Sequence, residues 1–141
     1  MTLRLSESVL GEIRRQGERA YPAECCGVLA GHSGTTKELV RLVPVVNQRT
    51  DDPHRYLIPP GDLQRIEEEL GRDRLELLGF YHSHPDHPAA PSAFDAEHAW
   101  PWYSYLIVQV DRGRATETTS WQLADDRSAM RPESLEVFSE V

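Results

Sequence analysis

The stretch Tyr105 to Asp111, Tyr-Leu-Ile-Val-Gln-Val-Asp, constrains the fold most strongly. An apolar run this short falls far below the ~20 residues that cross a bilayer. It reads as a buried strand. Arg112-Gly113 turns the chain, and Ala115 to Leu123 returns as its partner. Two further strands are predicted upstream. Cys25 to Gly31 is small, apolar and glycine-bounded, and a turn at His32-Ser33-Gly34 leads to Glu38 to Val46, rich in Val and Leu. Asp51-Asp52-Pro53 reads as a loop, Arg55 to Ile58 as a short strand, and Leu75 to His82 as a third long strand.

Helical spacing alternates with these strands. Ser6 suits an N-cap, and Val9, Leu10 and Ile13 follow on one face, so a helix is expected from Glu7 to Ala20. Tyr21-Pro22 ends it. Asp62 to Leu70 places Leu63, Ile66 and Leu70 on one face and acidic residues on the other. A Pro-rich loop from Pro85 to Pro91 leads to a short helix, Ser92 to Trp100. The segment after Ala124 is polar and receives no element. The expected class is α/β, a mixed sheet flanked by helices. With no internal repeat and no Gly/Ser linker, residues 1–141 are expected to form a single domain.

The net charge of −8, from 15 basic and 23 acidic side chains, argues against nonspecific nucleic-acid binding and against anionic membranes. A local basic patch at Arg14, Arg15 and Arg19 is compatible with it. The first ten residues lack the apolar core of a signal peptide, and the two cysteines are adjacent, a poor geometry for a disulfide. Both features lead to an expected cytoplasmic location.

The chemistry concentrates in His82-Ser83-His84-Pro85, followed by Ser92 and Asp95. Residues i and i+2 of a strand point to one face, so His82 and His84 can grip one metal ion. Asp95 can supply a third ligand across the loop. Three protein ligands leave one position for water, the mark of a catalytic zinc site. Glu24, opening the small apolar strand, is the candidate general acid/base. Ser92 is the candidate donor to an oxyanion. Each residue also has a structural reading. Glu24 is then a solvated carboxylate, Ser92 a helix N-cap, and Asp95 a first-turn acid favoured by the helix dipole.

The joint spacing resembles the JAMM (MPN+) metallopeptidase motif, and the segment Tyr21 to Gly31 resembles that family's glutamate segment. The resemblance implies a JAMM fold related to cytidine deaminases, with a curved mixed sheet. It implies one Zn2+ on His82, His84 and Asp95, Glu24 as acid/base, water on the zinc as nucleophile, and Ser92 as oxyanion stabiliser. The implied reaction is hydrolysis of the amide after the C-terminal Gly-Gly of a ubiquitin-like protein. Within the family, the chain resembles the bacterial Mec-type CysO-cysteine peptidases, which release cysteine from a ubiquitin-like sulfur-carrier protein. The alternatives are an isopeptidase acting on lysine conjugates and a noncatalytic MPN binding module.

Other residues are weighed against this reading. Cys25 and Cys26 invite thiol catalysis, but a strand-borne pair suits the core better. They lack the Cys-x-x-Cys spacing of zinc deaminases. His87 and His98 are secondary metal candidates. Trp100, Trp102 and Tyr103 are expected to pack in the core, with a groove wall or a homodimer contact as the alternative.

Overall fold

In a computed structural model of the chain, residues 1–46 and 58–140 are described. The helix expected at Glu7 to Ala20 is present with those bounds as α1. The Ser6 hydroxyl accepts the Val9 N–H at 3.2 Å, which satisfies one of the donors orphaned at a helix start. Strand β1, Leu3–Ser6, runs directly into that cap. It was not foreseen, because it is held by pairing with distant strands rather than by its own pattern.

The remaining elements follow in chain order: β2 (Cys26–Ser33), β3 (Lys37–Val45), α2 (Pro60–Arg72), β4 (Glu76–Pro85), α3 (Ala93–His98), β5 (Ser104–Asp111), β6 (Arg114–Leu123), β7 (Met130–Glu133) and β8 (Leu135–Phe138). Several boundaries correct the sequence reading, among them the end of β4, which runs through Pro85 rather than stopping at His82. His32 and Ser33 are not a turn; they continue β2, paired to Glu38 and Lys37 of β3, and the chain reverses after them. The helix predicted from Ser92 to Trp100 is shorter, since Ser92 is its N-cap and Ala99 its C-cap. The loop expected at Asp51-Asp52-Pro53 and most of the strand expected at Arg55 to Ile58 lie outside the described residues.

The strands form one sheet in the order β7-β6-β5-β4-β2-β3-β1-β8. β7 pairs antiparallel with β6, and β8 pairs parallel with β1. Ser134 alone separates β7 from β8, and its carbonyl accepts the Leu3 N–H at 2.9 Å. The two edge strands are therefore one continuous segment, and it curls the sheet back on itself. This arrangement covers the ends of β6 and β1 with one short segment. The polar segment after Ala124 supplies that closure.

Leu3, Leu5, Ile13, Leu29, Tyr81, Leu106, Val108 and Val110 form the main core against α1. Ile66 and Leu70 of α2 cover Val28 and Ala30, with Leu75 and, from β4, Leu77 and Phe80 packed alongside. The side-chain phase of β4 changes at Gly79, where the register with β2 shifts between Leu29 and Ala30. A Cβ at Gly79 would stand 1.9 Å from the Ser104 carbonyl oxygen, so only glycine fits this bulge. The shift brings Phe80 onto the same side as Leu75 and Leu77 and sends Leu78 and Tyr81 to the opposite core. His82 and His84 continue the Phe80 phase. Among the described residues, no helix is long and apolar enough to cross a membrane.

Candidate metal centre

His82 and His84 occupy the end of β4, and both rings are buried. β2 runs antiparallel beside them, with Cys26 opposite His82. Beyond that pair the contact continues, because Cys25 N–H donates to Ser83 Oγ at 2.8 Å and Ser83 N–H to Cys25 O at 3.1 Å. Glu24, the next residue back, is thereby carried to the His pair. It is only 3% exposed, so the reading as a solvated carboxylate does not hold.

Asp95 arrives from α3. Its two oxygens lie 3.3 Å from His82 Nε2 and 3.2 Å from His84 Nε2, and the two Nε2 atoms stand 3.0 Å apart. Four ligands at about 2.0–2.1 Å from a tetrahedral ion are separated by about 3.3–3.4 Å. The triangle of two imidazoles and one carboxylate therefore fits a single zinc-sized ion. Ligand atoms of Glu24, His82 and His84 also lie within 4.8 Å of one another, so a second carboxylate borders the same point.

The donors are oriented by their neighbours. His84 Nδ1 donates to the Pro88 carbonyl at 2.8 Å, which in the neutral ring leaves the Nε2 lone pair facing His82 and Asp95. Burial holds the His82 pKa below its ordinary value, which favours the neutral, ligating form. Burial by itself would raise Asp95. Its close contacts with the His82 and His84 rings, with the hydrogen bond from the Ser92 N–H, outweigh it and hold the carboxyl pKa well below its ordinary value.

Ser92 is the N-cap of α3, in a reciprocal capping box with Asp95. Its Oγ accepts the Asp95 N–H at 3.1 Å, so its own O–H proton is left to donate elsewhere. His87 stacks on His84 with centroids 4.1 Å apart while its Nδ1 donates to Pro85 O. His98 stacks on Phe94 and donates to Phe94 O. Neither is drawn into the triangle.

Cys25 and Cys26 do not form a nucleophilic pair. Burial raises both thiols, Cys26 to about 12, where the reactive thiolate is scarce at neutral pH. The basic patch is also muted, since Glu12 binds both Arg15 and Arg19 and Arg14 donates to the Ala115 carbonyl.

Several contributors escaped the sequence reading. Tyr21 Oη donates to Asp86 Oδ2 at 2.5 Å, and Asp86 Oδ1 accepts the Arg112 N–H at 2.7 Å. This ties the segment before Glu24 to the end of β4. The Tyr-Pro and Pro-Asp dipeptides read only as breaks in helix and strand. A groove of about 660 Å³ also opens beside Asp95, walled by α2, α3 and the bend before β5, including Leu63, Phe80, Phe94, Trp100 and Tyr103. Trp100 and Trp102 are 63% and 40% exposed, so the expectation of core packing fails for them. Trp100 and Tyr103 line the groove, as the alternative reading has it.

Residues 6–124 match the family of prokaryotic homologs of the JAB domain. The chain belongs to this family. A desampylase of Haloferax volcanii is 39% identical over 111 residues, covering 78% of each chain. A probable TtuB-protein conjugate cleaving protease of Thermus thermophilus is 34% identical, covering 82% of this chain and 75% of that one. A CysO-cysteine peptidase of Mycobacterium tuberculosis is 28% identical, covering 81% and 77%. A solution structure from Desulfitobacterium hafniense superposes with a TM-score of 0.85 at 26% identity, over 99% of this chain and 94% of that one. A structure described as a JAMM metalloprotease-like zinc site superposes at 0.59 and 18% identity, over 98% and 99%, and shares the fold. This JAB-domain protein is thus a hydrolase of JAMM type, as the motif implied.

Proposed function

We propose that the protein hydrolyses the amide bond after the C-terminal Gly-Gly of a ubiquitin-like protein. The observation that carries this reading is the buried triangle of His82, His84 and Asp95 with Glu24 beside it. These three residues would hold a zinc ion. When bound, zinc supplies Lewis acidity and an activated water at neutral pH. Glu24, beside the two imidazoles, takes up a proton at its carboxylate and delivers it to the leaving nitrogen. The Ser92 hydroxyl donates to the carbonyl oxygen as it gains charge. Holding the ion through Nε2, His82 and His84 would have those lone pairs committed to the metal rather than to that proton.

The leaving group we favour is the amine of a lysine conjugate. Identity to the Haloferax desampylase, at 39%, exceeds that to the CysO-cysteine peptidases, at 28%. Release of cysteine from a sulfur carrier is the second reading, supported by the latter relatives.

The test is intact-mass analysis of the host's ubiquitin-like proteins, each carrying either a Gly-Gly-Cys extension or a Gly-Gly isopeptide to lysine, with and without chelator. Chelator-sensitive cutting of the isopeptide supports deconjugation. Loss of cysteine alone supports the second reading. A zinc-loaded protein that cuts neither overturns the proposed reaction.

A further inference from the structure

A lysine lies buried at the seam where the sheet closes. Lys37 opens β3, and none of its surface is exposed. Its Nζ donates to the Trp102 carbonyl and, at 2.9 Å, to Ser104 Oγ. The same ammonium stands 4.3 Å from the centre of the Trp102 ring. Glu133 of β7 supplies the counter-charge at 3.8 Å and is itself held by the Ser120 hydroxyl at 2.8 Å. A buried ammonium is costly unless it is paired and hydrogen-bonded, and this one is both.

Apart from Glu133, the Lys37 ammonium contacts Trp102, within a short bend, and Ser104, which opens β5 directly after it. Trp102 adopts φ +77°, a left-handed conformation unfavourable for a bulky residue. Its carbonyl is fixed from two sides, by Lys37 and by Gln122 Nε2 at 2.9 Å. The bend is pinned again where Trp100 N–H donates to Tyr105 Oη at 2.8 Å and where Arg127 donates to Ala99 O at 3.0 Å. Trp100, Pro101 and Tyr103 of this bend wall the groove that also touches Asp95. A strained bend persists only where its surroundings over-determine it, and such bends concentrate at functional sites.

We infer that the Trp100–Tyr103 bend is the recognition wall for the substrate segment entering the site, and that Lys37 is the positioning residue that holds it in shape. The inference rests on the proposed reaction. Lys37 touches neither substrate nor metal ligand. Its effect is carried through the Trp102 carbonyl to the wall, so it appears in substrate affinity rather than in the chemical step.

The test compares Lys37→Met and Trp100→Ala with wild type, using the full chain loaded with zinc and the ubiquitin-like conjugate that wild type cleaves. The free proteins are first compared by the indole N–H resonances of Trp100, Trp102 and Trp121. In Lys37→Met the Trp102 and Trp100 resonances should move, while Trp121, whose indole donates to Thr119, should not. Zinc content should match wild type. KM should rise about fivefold or more in both variants, with kcat within about twofold. Unmoved Trp102, or wild-type KM in both variants, overturns the inference. If Lys37→Met fails to fold, Trp100→Ala decides, because so exposed a side chain is dispensable for folding, and wild-type KM there overturns the wall. If wild type itself cuts no conjugate, the proposed reaction fails; the indole shifts then judge the positioning role alone, and an unmoved Trp102 removes it.

Discussion

Ser92 and Asp95 hold each other in place: the Ser92 N–H donates to Asp95 Oδ2 at 2.8 Å, and the Asp95 N–H donates to Ser92 Oγ at 3.1 Å. One capping box therefore both starts α3 and aims the carboxylate at the two imidazoles. Ser92→Ala removes the cap and the hydroxyl donor together. The cap is worth about 1 kcal/mol of stability, and the donor about 10²–10³ in kcat. Ser92→Thr restores both and should recover most of the turnover. Thermal melts and steady-state rates of the two variants separate the contributions. A Ser92→Ala enzyme that is less stable but equally fast would leave Ser92 as a cap alone.

Glu24 reaches the two imidazoles from the segment leading into β2, whereas Asp95 reaches them from α3. Glu24→Gln keeps the shape and an oxygen but cannot shuttle a proton. It should bind zinc as wild type does while kcat falls by at least about 10²-fold. Zinc content by atomic emission, measured on the same samples as the rates, checks both halves. Turnover close to wild type would mean that another base serves the reaction.

The legible parts of this molecule were local. The Ser6 cap and the apolar spacing of Val9, Leu10 and Ile13 located α1, and the i, i+2 spacing brought His82 and His84 to one face. The reach of Asp95 to that face follows from its place in the first turn of a capped helix. The illegible parts depend on partners remote in sequence. Leu3–Ser6 is a strand because β3 and β8 flank it, and Met130–Phe138 closes the sheet despite Pro132 and its charges. Gly79 reads as an ordinary strand glycine until the Ser104 carbonyl is set against it. Nothing local marks Lys37 for burial, since only the folded seam supplies Ser104, Trp102 and Glu133.

Metal removal offers a test that needs no substrate. A ligand bound only by the folded protein raises its stability by mass action. Zinc should therefore raise the Tm of wild type and should not raise that of His82→Ala. Asp95→Asn keeps the size of the side chain but loses its charge, so it should weaken zinc binding sharply. Retention of a full equivalent of zinc by His82→Ala after dialysis would remove His82 from the ligand set.

Buried acids on the other strands set a limit at alkaline pH. Burial raises the Cys26 thiol from 9.0 and the Tyr105 hydroxyl from 10.0, each to about 12. In the unfolded chain both groups lose their protons near their ordinary values. Between those values and about 12, the unfolded state binds fewer protons than the folded one, so stability falls as pH rises. The stabilisation is fully present below about pH 9 and is lost progressively toward pH 12. Urea midpoints should hold steady from about pH 7.5 to 9 and decline by about pH 10.5. Cys26→Ala should flatten the first part of the decline. In the folded protein at neutral pH a maleimide should leave Cys26 unlabelled, whereas in urea it should label both thiols. Rapid labelling of Cys26 in the folded chain, or midpoints that rise with pH, would place these groups in contact with solvent.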